Sequence, residues 1–392
     1  MSDKNTPVTI VMSAISGYGF YYLKALWDEV SAEKAQLVGV VDPTPERSEH
    51  FAEIQKRGIP VFPSMEAFYE AGNSADLAVI SSPIHFHVDQ SIVALKNGSN
   101  VLCDKPLAAS VDDVDRLIQA RDESGKWVRV GYQWSYSKAI QSLKADIISG
   151  KYGKPLQAKT LCLWSRDDAY YARNSWAGRV TACEGAPVLD SPANNAMAHF
   201  LHNLLYLLGD TTDRSVQLEE VSAELFRVYD IENYDTCMAR MHTIGGTEIL
   251  FYASHATEGS TGPVFHLICE KGRIILDHPE NEIVGQLDSG EVLYYGNPDD
   301  DNQFTKLFEA IDAVREPLPV NCGVEAARVQ TVAMAAMQQA SPVVKPFPPS
   351  MIVRDEEAGR RWVDGLDTAI LRMYRQGLMP LEAGYAWALK AK

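Results

Sequence analysis

The chain has 392 residues, 46% hydrophobic and 22% charged, with a formal net charge of −16. That length supports two domains and a sizeable core. The acidic balance speaks against nucleic acid or an anionic membrane surface as a partner, since both require a basic face, and no apolar run approaches the ~20 residues of a membrane span. Six scattered cysteines (Cys103, Cys162, Cys183, Cys237, Cys269 and Cys322) with no CxxC pair fit a reduced, cytoplasmic protein without structural zinc. The start, MSDKNTP, lacks the basic-then-apolar profile of a signal peptide.

In chain order, an apolar β-rich run at 8–12 leads into a turn of small residues, Ser13-Ala14-Ile15-Ser16-Gly17-Tyr18-Gly19. A helix is predicted over 20–33, with Tyr22, Ala25, Leu26 and Val30 on one face. Strand, small-residue turn and helix form the phosphate cradle of dinucleotide-binding domains, because small residues let the backbone approach a pyrophosphate. The G-x-G-x-x-G pattern is degraded to Ala14-x-Ser16-x-x-Gly19, so Ala14, Ser16, Gly17 and Gly19 are candidate cofactor contacts. A plain tight turn is the competing reading.

The next strand, at 37–41, is wholly apolar, as expected when both faces are buried. It ends in Asp42. An acidic residue there bonds the ribose hydroxyls of NAD and repels the 2′-phosphate of NADP. The alternative is an N-cap for a helix predicted over 45–57. Alternation continues: a strand near Val61, a helix at 65–70, a strand at 77–81 ending in Ser82-Pro83, and a helix at 85–97. An apolar run at 100–102 then enters Cys103-Asp104-Lys105-Pro106-Leu107-Ala108, followed by a helix at 111–124 and a strand at 127–132. Pro106 cannot donate to a ladder and biases Lys105 away from helical angles, so a lysine is held at a strand end. The pattern predicts a doubly wound parallel sheet, whose ligands bind at the carboxyl ends of the strands.

The collinear set of degraded glycine turn, Asp-ended second strand, Ser82-Pro83 with His87, Ala94-Leu95…Gly98 and CDKPLA resembles the glucose–fructose oxidoreductase/inositol dehydrogenase (Gfo/Idh/MocA) family. The usual family motif is C-E-K-P-L-A, so Asp104 departs by one methylene. The resemblance implies an α/β protein: an N-terminal Rossmann domain, placed at 1–133, and a C-terminal α+β domain at 134–392. In the family the second domain's large, open, mostly antiparallel sheet often mediates oligomer contacts, so a homodimer or homotetramer is expected. For Lys105 the resemblance implies a place beside the nicotinamide ribose and the reacting hydroxyl or carbonyl, where an ammonium stabilises a developing alkoxide. It implies that Asp104 holds the ribose and that Ser82, Pro83 and His87 lie by the cofactor, although packing under the loop explains His87 equally well.

Past Tyr132-Gln133-Trp134, a helix is predicted at about 138–149 and a strand at 156–164. The loop from Ser165 to Gly178 interleaves aromatic rings with Arg166, Arg173 and Asn174. Tyr170 and Trp176 can stack on sugar faces while the polar groups bind hydroxyls or carboxylates. An interface loop would use the same residues. Gln133 joins these as a candidate substrate contact. The stretch 190–209 reads as a helix with Asn195, His199 and His202 on one face. The family pattern D-x-G-x-H-x-x-D places Asn195 at the first Asp, His199 at the His and His202 at the second Asp. The resemblance makes His199 the acid/base, while Asn195 would weaken an Asp–His relay and His202 adds a second titratable group. The ligand-like spacing of these residues is set aside, because a nicotinamide cofactor makes a metal unnecessary. Strands recur from 221 to 295, joined by short turns, with a hairpin at Glu270-Lys271-Gly272. Helices are predicted at 303–315, 324–339 and 356–376, and the tail at 385–389 docks on this chain or on a neighbouring subunit.

The reading is an NAD-dependent dehydrogenase acting on a secondary hydroxyl of a sugar, inositol-like polyol or sugar acid. Two alternatives stand beside it: lyase- or glycosidase-type chemistry with a bound, transiently reduced NAD, and a non-catalytic dinucleotide-sensing protein.

Overall fold

The computed structural model describes residues 6–182, 185–277 and 281–389; Cys183 and the first five residues, on which the cysteine and signal-peptide expectations partly rest, lie outside them. The chain forms two compact units: Met1–Tyr136 with Asp301–Arg328, and Ser137–Asp300 with Val329–Lys392.

In the first unit, strands and helices alternate: β1 (Val8–Ser13), α1 (Tyr18–Glu29), β2 (Ala35–Val41), α2 (Phe51–Lys56), β3 (Val61–Phe62), α3 (Met65–Glu70), β4 (Leu77–Ile80), α4 (His87–Lys96), β5 (Asn100–Cys103), α5 (Val111–Ser124) and β6 (Val128–Val130). The sheet order is β3-β2-β1-β4-β5-β6, parallel throughout. This is the predicted doubly wound sheet, and its order reverses between β1 and β4, where ligands bind. Ile10, Met12, Leu23, Leu26, Val40, Leu77, Val79 and Leu102 share its core. The helix predicted over 45–57 is broken. Ser48 adopts extended angles and donates its hydroxyl to the Ile15 carbonyl at 2.7 Å, which pins this segment beneath the glycine turn.

The second unit contains α6 (Lys138–Ile148), β7 (Pro155–Leu163), α7 (Asp168–Ala172), α8 (Ala198–Leu207), β8 (Leu218–Arg227), β9 (Thr236–Thr243), β10 (Glu248–Ser254), β11 (Thr261–Cys269), β12 (Gly272–Leu276), β13 (Ile283–Leu287) and β14 (Val292–Gly296). The hairpin at Glu270-Lys271 forms, with Cys269 opposite Gly272. Strand β13 escaped the sequence reading because Gly285 interrupts its apolar pattern. The structure gives a reason for that glycine: a Cβ would lie 1.8 Å from the Tyr152 hydroxyl.

The next helix, α9 (Thr305–Arg315), belongs to the first unit, although the sequence reading placed it in the second domain. Leu307, Ala310 and Ile311 join the core of Ile10 and Leu26. After it come α10 (Val324–Ala340), β15 (Lys345–Pro346), β16 (Ile352–Asp355), β17 (Arg360–Val363) and α11 (Leu366–Gln376). The second unit's sheet has the order β14-β13-β12-β11-β7-β10-β9-β8-β15 and is mostly antiparallel, with β7–β10 and β8–β15 parallel.

The helix predicted over 356–376 is half hairpin. The Asp355 carboxylate accepts from the amides of Glu357 and Ala358, and Gly359 takes φ +60, so the acidic run turns instead of coiling. Leu366, Ile370 and Met373 of α11 then pack on Leu161, Leu163, Leu250 and Tyr252. Residues of both parities along β10 are buried, so the centre of this open sheet is covered on both faces within this chain. The tail docks on its own chain: the Trp387 ring lies 5.0 Å from that of Phe226, and Lys345 donates to the Ala388 carbonyl.

Candidate functional site

The first unit gathers its predicted residues at the carboxyl ends of β1, β2, β4 and β5. After β1 the chain turns through Ala14 (φ 60) and Gly17 (φ 58) into α1. Gly19 is obligatory here: a Cβ would stand 2.2 Å from the Ala14 carbonyl oxygen. A Cβ on Gly17 would meet nothing within 4 Å, so space lies open over the turn. The Ser16 hydroxyl is buried without a hydrogen-bond partner. A tight turn before a helix, with open space and an orphaned hydroxyl, fits a dinucleotide phosphate group.

Asp42 is buried. Its Oδ2 accepts from the Ile15 amide at 3.1 Å and its Oδ1 from the Thr44 amide at 2.9 Å. It therefore clamps the glycine turn to β2. The helix-cap alternative fails, since the N-cap of the following short 3-10 helix is Thr44. Each carboxylate oxygen keeps a second lone pair for a ribose hydroxyl. Ser82, at the end of β4, donates to Gln90 Oε1 at 2.8 Å, as Ser13 does at 2.5 Å. Gln90 went unnoticed in the sequence because nothing in a helical pattern marks it.

His87 starts α4, 2% exposed, with Nδ1 2.8 Å from the Pro106 carbonyl and Nε2 2.7 Å from the Ser82 carbonyl. Burial pushes its pKa down. Its ring joins the Ser82-Pro83 loop to the loop of Lys105, so it supports both loops and presents no nitrogen beyond them. Lys105 is partly exposed and Asp104 is 7% exposed. Asp104 Oδ1 accepts from the Tyr22 hydroxyl at 3.2 Å and faces the Lys306 ammonium at 3.4 Å. A Cβ on Gly131 would stand 2.7 Å from that oxygen, so the carboxylate fits its slot closely. Gln133, just past β6, is partly exposed.

In the second unit the loop after β7 is built on itself. Asp167 caps α7 by accepting from the Tyr170 amide. The Arg173 guanidinium lies 3.9 Å from the Tyr170 ring centre and 5.5 Å from that of Trp176. Arg166 lies 4.9 Å from the same Tyr170 ring. Arg173 pairs with Asp190 at 3.3 Å. Asp190 also accepts from the Gly178 amide at 2.6 Å and from Asn195 Nδ2 at 2.7 Å. Burial raises the Asp190 pKa, and Arg173 and these donors oppose the rise. Asn174 caps its own loop by accepting from the Trp176 amide. His255, absent from the sequence reading, lies behind the loop. Its Nδ1 donates to the Trp164 carbonyl at 2.7 Å, and burial pushes its pKa down to about 3. The same loop borders a cavity of about 630 Å³ lined by Tyr171, Arg179, Tyr229 and Arg361, which includes none of the predicted residues.

Asn195, His199 and His202 do not share one helix face. Helix α8 starts at Ala198, and Asn195 sits in the turns before it, drawn toward Asp190. His199 is partly exposed. His202 is 1% exposed and stacks on Tyr206, whose ring centre lies 3.4 Å from the Lys144 ammonium. Burial, with Lys144 adding, pushes the His202 pKa down to about 3. His202 is three residues on from His199 in α8, but it is a buried, neutral core histidine. Among the described residues no three His, Cys, Asp or Glu side chains converge as a metal site would require, and no helix is long and apolar enough to cross a membrane.

Comparison with known proteins fits this geometry. An inositol 2-dehydrogenase of Salmonella typhimurium is 35% identical over 82 residues, 21% of this chain and 24% of that protein. A 2,7-anhydro-N-acetylneuraminate hydratase of Mediterraneibacter gnavus is 24% identical over 191 residues, 49% of this chain and 46% of that protein. The matches thus span less than half the length of either relative. The WlbA dehydrogenase of Bordetella pertussis, solved with NADH and UDP-GlcNAcA, superposes with a TM-score of 0.69 at 21% identity, over 86% of this chain and 97% of that one. Residues 12–132 match the oxidoreductase family with an NAD-binding Rossmann fold, and residues 140–275 match the C-terminal domain of the same family. The chain belongs to the Gfo/Idh/MocA oxidoreductase family, with NAD as the cofactor of its Rossmann unit.

Proposed function

We propose that the protein is an NAD-dependent dehydrogenase that oxidises a secondary hydroxyl of a sugar, inositol-like polyol or sugar acid, or reduces the matching carbonyl. The observation that carries this reading is the first unit's strand-end cluster: an open glycine turn, Asp42 clamped beside it, and Lys105 held next to a fixed carboxylate. Bound NAD would supply the hydride acceptor. The turn of Ala14, Ser16, Gly17 and Gly19 would hold the phosphates, Asp42 and Asp104 the two riboses, and the Ser82-Pro83 loop the region between them. The Asp42 carboxylate would disfavour the extra phosphate of NADP.

For the chemistry, the hydroxyl proton would pass to His199 Nδ1 or Nε2. The Lys105 ammonium would stabilise the oxyanion as the carbonyl forms. Asn195, bonded to Asp190, would orient the ligand and leave proton transfer to His199. Gln133, Arg166, Tyr170, Arg173, Asn174 and Trp176 would contact the substrate. The free, buried cysteines among the described residues fit a reduced, cytoplasmic setting, and we infer a homo-oligomer. The similarity to a hydratase favours a second reading, in which NAD stays bound and is regenerated within each turnover.

The test is reduced-nicotinamide fluorescence with NAD and a panel of sugars, inositols and sugar acids. A signal abolished in both Lys105→Ala and His199→Ala is expected. Tight NAD binding with substrate converted but no free reduced cofactor would select the second reading. Failure to bind NAD would defeat both.

A further inference from the structure

Helix α9 carries a lysine that no motif announces. Lys306 is 1% exposed. Its ammonium lies 3.4 Å from Asp104 Oδ1, 3.1 Å from the Gly131 carbonyl and 3.4 Å from the Tyr18 hydroxyl. The ring centres of Tyr18 and Tyr22 stand 4.8 and 5.0 Å away. Two rings, a carbonyl and a carboxylate thus replace water around a buried cation.

Each neighbour is tied to the candidate cofactor site. Tyr18 is the first residue of α1, directly after the glycine turn, and Tyr22 is one turn further along. Asp104 immediately precedes Lys105. The main chain beside it is pinned as well: the Asp104 amide donates to Ile80 and the Gly131 amide to Cys103, each at 2.8 Å. The Tyr22 and Lys306 bonds both go to Oδ1. We propose that Lys306 is a positioning residue of the NAD site: it neutralises Asp104 at Oδ1, which leaves Oδ2 to accept from the nicotinamide ribose and fixes where the Lys105 loop leaves the strand. Without the ammonium, a carboxylate this buried takes up a proton or turns toward water, and the ribose loses its acceptor either way.

This inference rests on Asp104 being a cofactor group, so the experiment separates the two. NADH binding to the full chain is titrated by fluorescence from about pH 6 to about pH 8. The variants are Lys306→Met, Lys306→Gln (which keeps a donor and most of the volume), Asp104→Asn and the Lys306→Met/Asp104→Asn pair, each checked for folding by circular dichroism. The wild type should be flat with pH. Either folded Lys306 variant should bind roughly tenfold more weakly at the acid end, the scale of one lost charge-assisted hydrogen bond, and recover toward alkaline pH. Asp104→Asn should be weaker and flat, and the pair should match it with no further loss. A folded Lys306 variant with wild-type affinity at every pH overturns the proposal. So does a pair weaker than Asp104→Asn by the factor of the lysine change alone, because Lys306 would then act independently. Wild-type affinity in Asp104→Asn instead removes Asp104 from the cofactor site, and this inference with it.

Discussion

Asp104 in the first unit and Asp190 in the second are both buried carboxylates facing one cation, but the cations differ. Lys306 is 1% exposed and belongs to a core helix, whereas the Arg173 side chain is 26% exposed and belongs to a loop. Asp104 can be moved only by stranding a buried ammonium. Asp190 shares its load with the Gly178 amide and Asn195, and water can screen its arginine. The first pair is held between elements of a buried core, and the second stands on a partly exposed loop.

The contrast can be broken most directly at Lys306. Removing one partner of a buried ion pair costs about 3–5 kcal/mol, so Lys306→Met should lower urea stability by that order, and adding Asp104→Asn should restore much of it. Arg173→Met, at a screened pair, should cost about 1 kcal/mol or less in the same assay. Equal losses at the two sites would erase the distinction.

Acid should act next. Folded His202 and His255 stay neutral down to about pH 3, while the unfolded chain takes up protons below about pH 6.5. Their contribution is complete above about pH 6.5 and is lost as pH falls toward 3. Each pH unit in that window costs about 1.4 kcal/mol per histidine. Thermal melts should therefore drop steadily between about pH 6.5 and 4.5, and His202→Phe should reduce the slope by about half of the two-histidine share. An unchanged slope would show that His202 is protonated when folded. Gly19→Ala should cost about 1–3 kcal/mol, because its Cβ meets backbone and not a movable side chain, and NADH affinity should fall with it. The smallest effect on stability is expected for Arg166→Met, within about 0.5 kcal/mol, with its consequence confined to the Michaelis constant for substrate.

The parallel sheet was legible because strands buried on both faces and short helices alternate with clear breaks. The cluster proposed for the cofactor was legible because its residues follow strand ends at short spacing. Long-range partners were not. Nothing within a few residues of Lys306 or Gln90 signals Asp104 or Ser13, since those contacts exist only once the sheet is assembled. Asn195 was misplaced by extending helical periodicity back past Ala198, where it is drawn to Asp190 instead. The hairpin at 352–363 was misread because Asp355-Glu356-Glu357-Ala358 has helix-like composition, while the Asp355 cap and Gly359 decide the turn.

The first unit's interruption between residues 136 and 301 has a consequence for biosynthesis. Asp104 leaves the ribosome 202 residues before Lys306. At about 5–20 residues per second the nascent Rossmann unit waits roughly 10–40 s for its internal counter-ion and for the helix that closes its core. During that interval the emerging sheet carries an uncompensated carboxylate and an apolar surface still uncovered by Leu307 and Ile311. The unit can be sealed only after most of the second unit has been translated.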